Sequence, residues 1–507
     1  YPSFIQAGGV EWFGVTHLVC EPGYHPTLEG ICVKRQEPAA PLTCHSGEAG
    51  FAQGNPVIVS TGAKVQRETD LVGGVADSLA VTRTYRILND MSKASSGGAA
   101  WFFWFDRVFR ITQRSATDGR PLSIEGNLGD GTDFKFNWDA VAGKYRPSWG
   151  PAATLEALDA SYENWLLVRD GRAEHYKKTG SGTHDRFVLI SAQTLDGATQ
   201  HLAYASDSLL LKEVLDDRGR KLDVTWGTNS QVASISGPGG KVLYHYDAPW
   251  GDYPSWGTRA RLISVDYADA SGAVLGSRHY HYEDAHNPFL LTGITDENGQ
   301  RFATYAYDGN GRTVSSEHAG GAYHYGFAYP DDSTRIITDP LGTQRTIGLQ
   351  YIKNLGVVTG DSQPGGAGCT AGSNAITHDP QGNVTSRTDF NGNKTCYRYD
   401  ERNLETSRVD GLLGSDACPA SDTAVLPRQT ARRTITRWHP DFPLRQTARR
   451  TITRWHPDFP LQSIVAEPDR VTTYRYDGQP DASGNIAACA SGQVDEQYVA
   501  FYQSCGK

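Results

Sequence analysis

Arg301-Phe-Ala-Thr-Tyr305-Ala-Tyr307-Asp308-Gly-Asn-Gly311 holds an alternating strand, an acid and a turn in one short run. In a strand, residues i and i+2 share a face, so Tyr305 and Tyr307 lie side by side while Ala306 points the other way. Asp308 with Gly311 three residues on suits a type I turn. The carboxylate caps the turn amides, and glycine accepts the left-handed conformation that closes it.

Working outward, the Tyr-x-Tyr-acid pattern recurs at Tyr244-His-Tyr246-Asp247, Tyr280-His-Tyr282-Glu283, Tyr397-Arg-Tyr399-Asp400 and Tyr474-Arg-Tyr476-Asp477, and Tyr323-His-Tyr325 lacks the acid. Asp-x-x-Gly recurs at Asp216, Asp269, Asp296, Asp339, Asp379, Asp389 and Asp481. At Asp400 the glycine is replaced by Asn403, the next residue most tolerant of the left-handed region. Windows with helical periodicity are scarce, whereas short alternating runs bounded by Asp, Asn and Gly fill the chain. The fold class read from this pattern is all-β, an antiparallel hairpin array. Residues 200–507 are expected to be mostly strand and turn, with no helix longer than about three turns. Neighbouring strands stack the tyrosines into ladders, each cross-strand pair contributing roughly 0.2–1 kcal/mol.

At 507 residues the chain has room for about three domains of roughly 150 residues, or for one large repetitive one. A net charge of −9 leaves no basic field to hold nucleic acid or an anionic membrane surface. Apolar runs fall far short of the roughly 20 residues that span a bilayer, so no membrane insertion is expected. The start at Tyr1, with Met91 as the only methionine, fits a mature or trimmed product. The cysteines cluster at the two ends: Cys20, Cys32 and Cys44, then Cys369, Cys396, Cys418, Cys489 and Cys505. No Cys-x-x-Cys pair exists, which argues against structural zinc, and no metal or cofactor is expected. Cys20 and Cys32 flank Pro22, Gly23, Pro26 and Gly30, a plausible stapled hairpin, and the pairing of the later cysteines stays open. Disulfides imply an oxidising compartment, so the chain is expected to be secreted or at the cell surface.

The interleaving of Tyr-x-Tyr-acid with Asp-x-x-Gly resembles the YD repeat of the Rhs family. Residues 376–411, ITHDPQGNVTSRTDFNGNKTCYRYDERNLETSRVDG, resemble that array closely. Residues 55–71, NPVIVSTGAKVQRETDL, followed by Arg83-Thr-Tyr85, resemble the segment that precedes it. The resemblance spans roughly residues 50–507 and implies a β-sheet wound into a shell or open barrel wall, as in insecticidal toxin-complex cocoons and the teneurin barrel. The expected organisation is a stapled module over residues 1–50, an Rhs N-terminal β region over 51–199 and a YD-repeat shell section over 200–507. One departure stands out: residues 428–444, RQTARRTITRWHPDFPL, recur unchanged at 445–461, which means a very recent tandem duplication or an error in the sequence.

A search for chemistry yields little. No GxSxG, HExxH, Walker-type loop or Rossmann fingerprint stands on a strand-to-helix turn. Asp389-Phe-Asn391-Gly392-Asn393 offers oxygen ligands without the twelve-residue calcium loop, and reads as a turn. Asp339-Pro-Leu-Gly342 has the spelling of the family's self-cleavage segment but lies mid-array and reads as a repeat turn. No enzyme activity is assigned. The resemblance implies a structural wall that encapsulates or presents another polypeptide, as in polymorphic toxin delivery. The alternative is an extracellular adhesive β-protein that binds glycans or copies of itself by strand addition. About 300 residues of repeat supply too few strands to close a large shell, so the chain is expected to be a fragment of a longer shell or to pair edge to edge. The stretch Glu496–Tyr502 is a poorly protected edge.

Overall fold

The structure is a computed structural model that describes residues 51–436 apart from the connections 73–78, 88–94, 150–152, 170–171, 180–184, 195–196, 207–209, 228–229, 248–259, 354 and 366–369. It also describes the strands Tyr24–Pro26, Cys32–Lys34, Ile452–Trp455, Gln462–Glu467 and Arg470–Thr473. Cys20, the Cys32 side chain, Tyr474, Tyr476, Asp477, the turn at Asp481 and the stretch 496–502 lie outside the described residues. The protein is all-β. The single-turn 3-10 element Ala319–Gly321 is the one helical piece among the described residues.

The turns explain why the strands are short. At Asp308 the amides of Asn310 and Arg312 each donate to the carboxylate at 2.9 Å, while the Gly311 amide donates to the Asp308 carbonyl at 2.9 Å. Gly311 sits at φ 76°. The same arrangement recurs at Asp216, Asp269, Asp296, Asp339, Asp379 and Asp389. At Asp400 the left-handed position is filled by Asn403, at φ 64°.

The chain divides into two compact units, Tyr1–Ile435 and Thr436–Lys507. In the first, one sheet of 23 strands contains a closed ring. Eight strands from Arg107–Arg114 to Arg186–Thr194 follow one another round, and the ring closes where Arg186–Val188 pair with Arg110–Val108. A ring of about eight strands is just narrow enough for side chains to fill. Here Phe109, Phe134, Phe136, Trp165, Tyr176 and Phe187 do so, each no more than 2% exposed, with Phe109 stacked on Phe187 at 4.6 Å. The buried Glu174 carboxylate is held among them by Arg107, Arg169 and the Tyr176 hydroxyl, which donates at 2.8 Å. Burial alone would raise its pKa, and the two guanidinium charges outweigh burial and lower it.

The sheet forks on strand Arg186–Thr194. Its first half closes the ring, while Ser191–Gln193 pair with Thr199–His201 and launch a meander of consecutive antiparallel strands that runs to Gln363. The Asn374 amide donates to the Asp361 carbonyl at 3.0 Å, carrying the path into the five strands between Ala375 and Ile435. In the second unit, Ile452–Trp455, Gln462–Glu467 and Arg470–Thr473 form a three-stranded antiparallel sheet.

Candidate functional site

What the repeats build is a face. Tyr244, Tyr280 and Tyr305 are buried to within 4% of full enclosure, while the intervening His245 and Ala306 are exposed. Tyr246, Tyr282 and Tyr307 are half-buried on the same side, packed against the core that contains Tyr244, Tyr280 and Tyr305. At Tyr246 and Tyr307 the register shifts by one residue on the partner strand, at Ile263 and Val314, so the tyrosine strands keep their alternation and both rings stay inward.

The two tyrosines of a unit do different things. The second donates its hydroxyl to a backbone carbonyl further back in the meander: Tyr246 to Val232 at 2.9 Å, Tyr282 to Leu262 at 3.0 Å, and Tyr307 to Leu291 at 2.5 Å. Tyr204 and Tyr329 make the same bond, to Leu189 and Thr313, and Trp226 replaces it with its indole N–H donating to Leu211. These three are not spelled Tyr-x-Tyr-acid and were missed by that reading. With Tyr246, Tyr282 and Tyr307 they recur at steps of 20–25 residues, broken once by the longer step from 246 to 282, and that recurrence is the signal that finds them.

The first tyrosine of each unit points at residues 64–103 of the same chain. Strands Val65–Leu71, Val81–Arg86 and Trp101–Phe103 form a small antiparallel sheet that lies on the tyrosine face. At its centre, Arg83 donates to Asp70 at 2.7 and 3.1 Å and to the Tyr280 hydroxyl, and Tyr244 donates to the same carboxylate at 3.0 Å. Both members of the Arg83–Asp70 pair have fully enclosed side chains. The guanidinium lies 4.3 Å from the Trp101 ring centre and 4.8 Å from that of Tyr280. Burial alone would lower the Arg83 pKa, and the Asp70 charge beside it carries the value well up instead. Burial also pushes the phenols of Tyr244 and Tyr280 up, so both stay neutral, Tyr244 donating to Asp70 and Tyr280 accepting from Arg83. Further along, Tyr305 donates to Gln66 at 3.2 Å, Lys64 sits 4.5 Å over the Tyr305 ring, and Arg278 pairs with Glu68.

The contact continues in both directions. Phe51, Val57 and Val59 enter a second apolar cluster with Phe327, Ile337, Ile347, Val358, Ile376 and Val384. Arg335 donates to the Ser60 carbonyl at 2.7 Å, and the Thr313 amide to that of Gly62 at 2.9 Å. Tyr85 donates to the Phe289 carbonyl at 2.9 Å and accepts from the Leu291 amide at 3.0 Å. Residues 51–70 therefore meet the meander in reverse order, from the strands after Phe327 back to Tyr244, and Arg83 and Tyr85 then return to Tyr280, Phe289 and Leu291. Asp70, Arg83 and Trp101, which anchor this contact, carry no repeat motif; the only sequence signal was the segment 55–71 with Arg83-Thr-Tyr85.

Other sequence-marked residues fall elsewhere. Tyr397 and Tyr399 are half-buried, and Asp247 pairs with Arg261 at 2.6 Å. Tyr323 is 67% exposed at φ 53°. Cys396 is bonded to Cys418, their Cα atoms 5.7 Å apart. Among the described residues, no group of His, Cys, Asp and Glu has a metal-holding arrangement. A cavity of about 50 Å³ sits at the fork of the sheet between Asp106, Arg107, Val188, Tyr204 and Trp226. Such a space suits water rather than a substrate.

No protein-family model matches the chain. The tRNA3(Ser)-specific nuclease WapA of Bacillus spizizenii is 26% identical over 195 residues, which is 37% of this chain and 8% of that protein. Among solved structures, TcdB2-TccC3 without its hypervariable C-terminal region is matched over 86% of this chain and 30% of that one, at 12% identity and TM-score 0.28. TcdB2-TccC3-TEV is matched over 79% and 23%, at 12% identity and TM-score 0.32. The Photorhabdus luminescens Tc holotoxin pore is matched over 78% and 21%, at 14% identity and TM-score 0.28. The chain thus spans less than a tenth of the curated protein and under a third of each of these structures.

Proposed function

We propose that the chain is a non-catalytic wall section of a secreted or cell-surface Rhs-type YD-repeat shell that encloses or presents another polypeptide, as in polymorphic toxin delivery. One observation carries the reading: the tyrosine face already holds a long stretch of polypeptide, residues 51–103, through phenol hydroxyls, a buried ion pair and an apolar seam. A face that grips extended chain in this way suits a wall with protein on its inner side. The Cys396–Cys418 bond supports an oxidising compartment. The similarity to a small part of a curated nuclease is compatible with a structural role, because the repeat acids Asp216, Asp308 and Asp400 are engaged in turns and ion pairs.

The test is to purify the product of the encoding gene, digest it with protease under native and denaturing conditions, and identify surviving peptides by mass spectrometry. Survival of a segment outside the repeats only while the wall is folded supports enclosure. Digestion of every such segment at equal rates in both states overturns it.

A second reading, adhesion, is favoured by one surface feature. Phe302 and Tyr323, 40% and 67% exposed, flank His318 with ring centres 4.8 and 5.9 Å from it. An open aromatic platform suits stacking against the apolar face of a sugar. Binding on a glycan array that is lost in Tyr323→Ala supports it, and an array without signal removes it.

A further inference from the structure

Along the tyrosine strands the face opposite the rings is bare, with His245 and Ala306 exposed, whereas after Asn393 that face is covered. The cover is one excursion of the chain. Strands Glu405–Leu413 and Arg432–Ile435 pair directly, Asp410 opposite Arg432, yet residues 414–431 lie between them in sequence with no strand or helix of their own. An irregular loop longer than roughly 12–15 residues is uncommon in a compact fold unless it has a function. Its ends are neighbours across the ladder, and its body lies on the strands it leaves.

One covalent tie and several weak ones hold it down. Cys418 in the loop is bonded to Cys396 in strand Asn393–Tyr399, and Leu426 and Ala431 pack on Cys396, Val409 and Leu412. Lys394 donates to the Asp416 carbonyl at 2.9 Å, Arg398 to that of Ala420, and Arg433 to those of Asp422 and Ala424 at 2.6 and 2.8 Å. Arg398 and Asp422, 3.4 Å apart, have side chains 45% and 43% exposed, and charge pairs in that setting hold weakly against water. The two sulfurs sit in unlike places: Cys396 is 4% exposed, while Cys418 is open to solvent.

We propose that residues 414–431 are a redox-released lid, held shut by Cys396–Cys418 in an oxidising compartment and opened by a dithiol reductant. This goes beyond the wall reading and does not depend on what the wall encloses. A thiolate of the dithiol attacks Sγ of Cys418, the sulfur within reach, forming a mixed disulfide there and expelling the Cys396 thiolate. Lys394 and Arg398, two residues to either side of Cys396 on the same strand face, favour that leaving group. The second thiol of the dithiol, as thiolate, then attacks the dithiol sulfur of the mixed disulfide and expels Cys418. Two electrons and two protons pass from the dithiol, which ends as a disulfide, to the two protein thiols. The strands beneath keep their ladder, and Tyr397 keeps its packing on the cluster of Ile376 and Val384. Opening uncovers Cys396, Val409 and Leu412, an apolar patch that carries a thiol.

Thiol alkylation of the full chain tests this, because Cys396 is enclosed until the lid lifts. After dithiothreitol, iodoacetamide should label Cys396 at a rate within about tenfold of Cys418. Slower labelling than that means the polar ties keep the lid shut without the bond, and the proposal fails. Cys418→Ser separates this bond from any other in the chain: its Cys396 should label at the same rate with no reductant, and a Cys396 that stays unlabelled contradicts the proposal. Hydrogen exchange on the reduced chain separates a lifting lid from a melting region. Amides of residues 414–431 should exchange about tenfold or more faster than those of Asn393–Tyr399. A smaller difference means that loop and strands open as one unit, and overturns the lid.

Discussion

The strands from Lys241 to Tyr307 and those from Asn393 to Ile435 carry the same repeat, yet they bury it in opposite ways. In the first region the tyrosine face is covered by residues 64–103, and Tyr244, Tyr280 and Tyr305 disappear into one large core. In the second, Tyr397 is half-buried with Arg408 lying 5.8 Å from its ring centre. On its other face Cys396, Val409 and Leu412 form a small enclosed cluster, packed with Leu426 and Ala431 of the loop after the strands. Strand alternation puts Cys396 on the face opposite Tyr397, which itself packs on the cluster of Phe51, Val57, Ile376 and Val384, so the second region gains a seal on the side the first leaves open. A Tyr-x-Tyr unit is therefore a surface that needs a cover and does not make a core by itself. Residues 64–103 supply that cover for one region, and a disulfide-tied loop seals the other.

The largest effect that would break this contrast is removal of the central carboxylate. Asp70→Ala leaves the Arg83 guanidinium buried and unpaired, which costs about 3–5 kcal/mol, whereas Asp410→Ala, at the half-exposed pair with Arg408, should cost less than about 1 kcal/mol. Chemical denaturation of the two variants checks the difference, and equal losses would mean that the two regions are held alike.

Next comes a pH effect confined to the covered region. Asp106 accepts from the Ser96 amide and hydroxyl and from the Phe103 amide at 2.5–3.0 Å with no cation beside it, and burial raises its pKa from 3.8 to about 6. Because the folded value lies above the unfolded one, its contribution is complete below about pH 4 and is lost as pH rises through about 6. Relative to Asp106→Asn, the protein should lose on the order of 3 kcal/mol across that window. Asp416, whose pKa is lowered chiefly by its hydrogen bonds with Arg428, has the opposite sign: its contribution is present above pH 3.8 and lost on further acidification. Melting temperatures from pH 4 to 7 for both proteins decide it, and parallel curves would contradict the assignment.

Reduction of Cys396–Cys418 sharpens the comparison further. It closes a loop of 22 residues, worth roughly 3 kcal/mol in chain entropy, and Cys418 is exposed to reductant. Dithiothreitol should therefore speed amide exchange in Asn393–Tyr399 and Glu405–Leu413 while leaving Arg301–Tyr307 unchanged. The smallest effect concerns turn closure. Asn403→Gly should gain at most about 1 kcal/mol, whereas Gly311→Ala, at φ 76°, should lose about 1–2 kcal/mol, both read from urea midpoints.

Much of this was legible because it is local. The acid and glycine of each turn, and the alternation that puts Tyr305 and Tyr307 on one side, need only neighbours in sequence. The all-β hairpin array followed from them. What was not legible depends on distant pairings that leave no periodic mark. Val108 against Val188 closes the ring, and nothing in either strand names the other. Asp70, Arg83 and Trp101 sit in ordinary alternating strands, and their importance comes only from the tyrosines, some 200 residues away, against which they pack. Among the later cysteines the spacing left every pairing open, and the strand and loop that bring Cys396 to Cys418 chose one.

The central claim is that residues 64–103 and the tyrosine strands are one cooperative structure, distinct from the strands after Asn393. Native-state hydrogen exchange with mass spectrometry, run on the intact chain across a denaturant series, tests it most directly. Amides of Val81–Arg86, Lys241–Tyr246 and Arg301–Tyr307 should open together with a single free energy and a shared denaturant dependence, above that of Asn393–Tyr399. Independent opening of Val81–Arg86 at lower free energy than the tyrosine strands would contradict the claim.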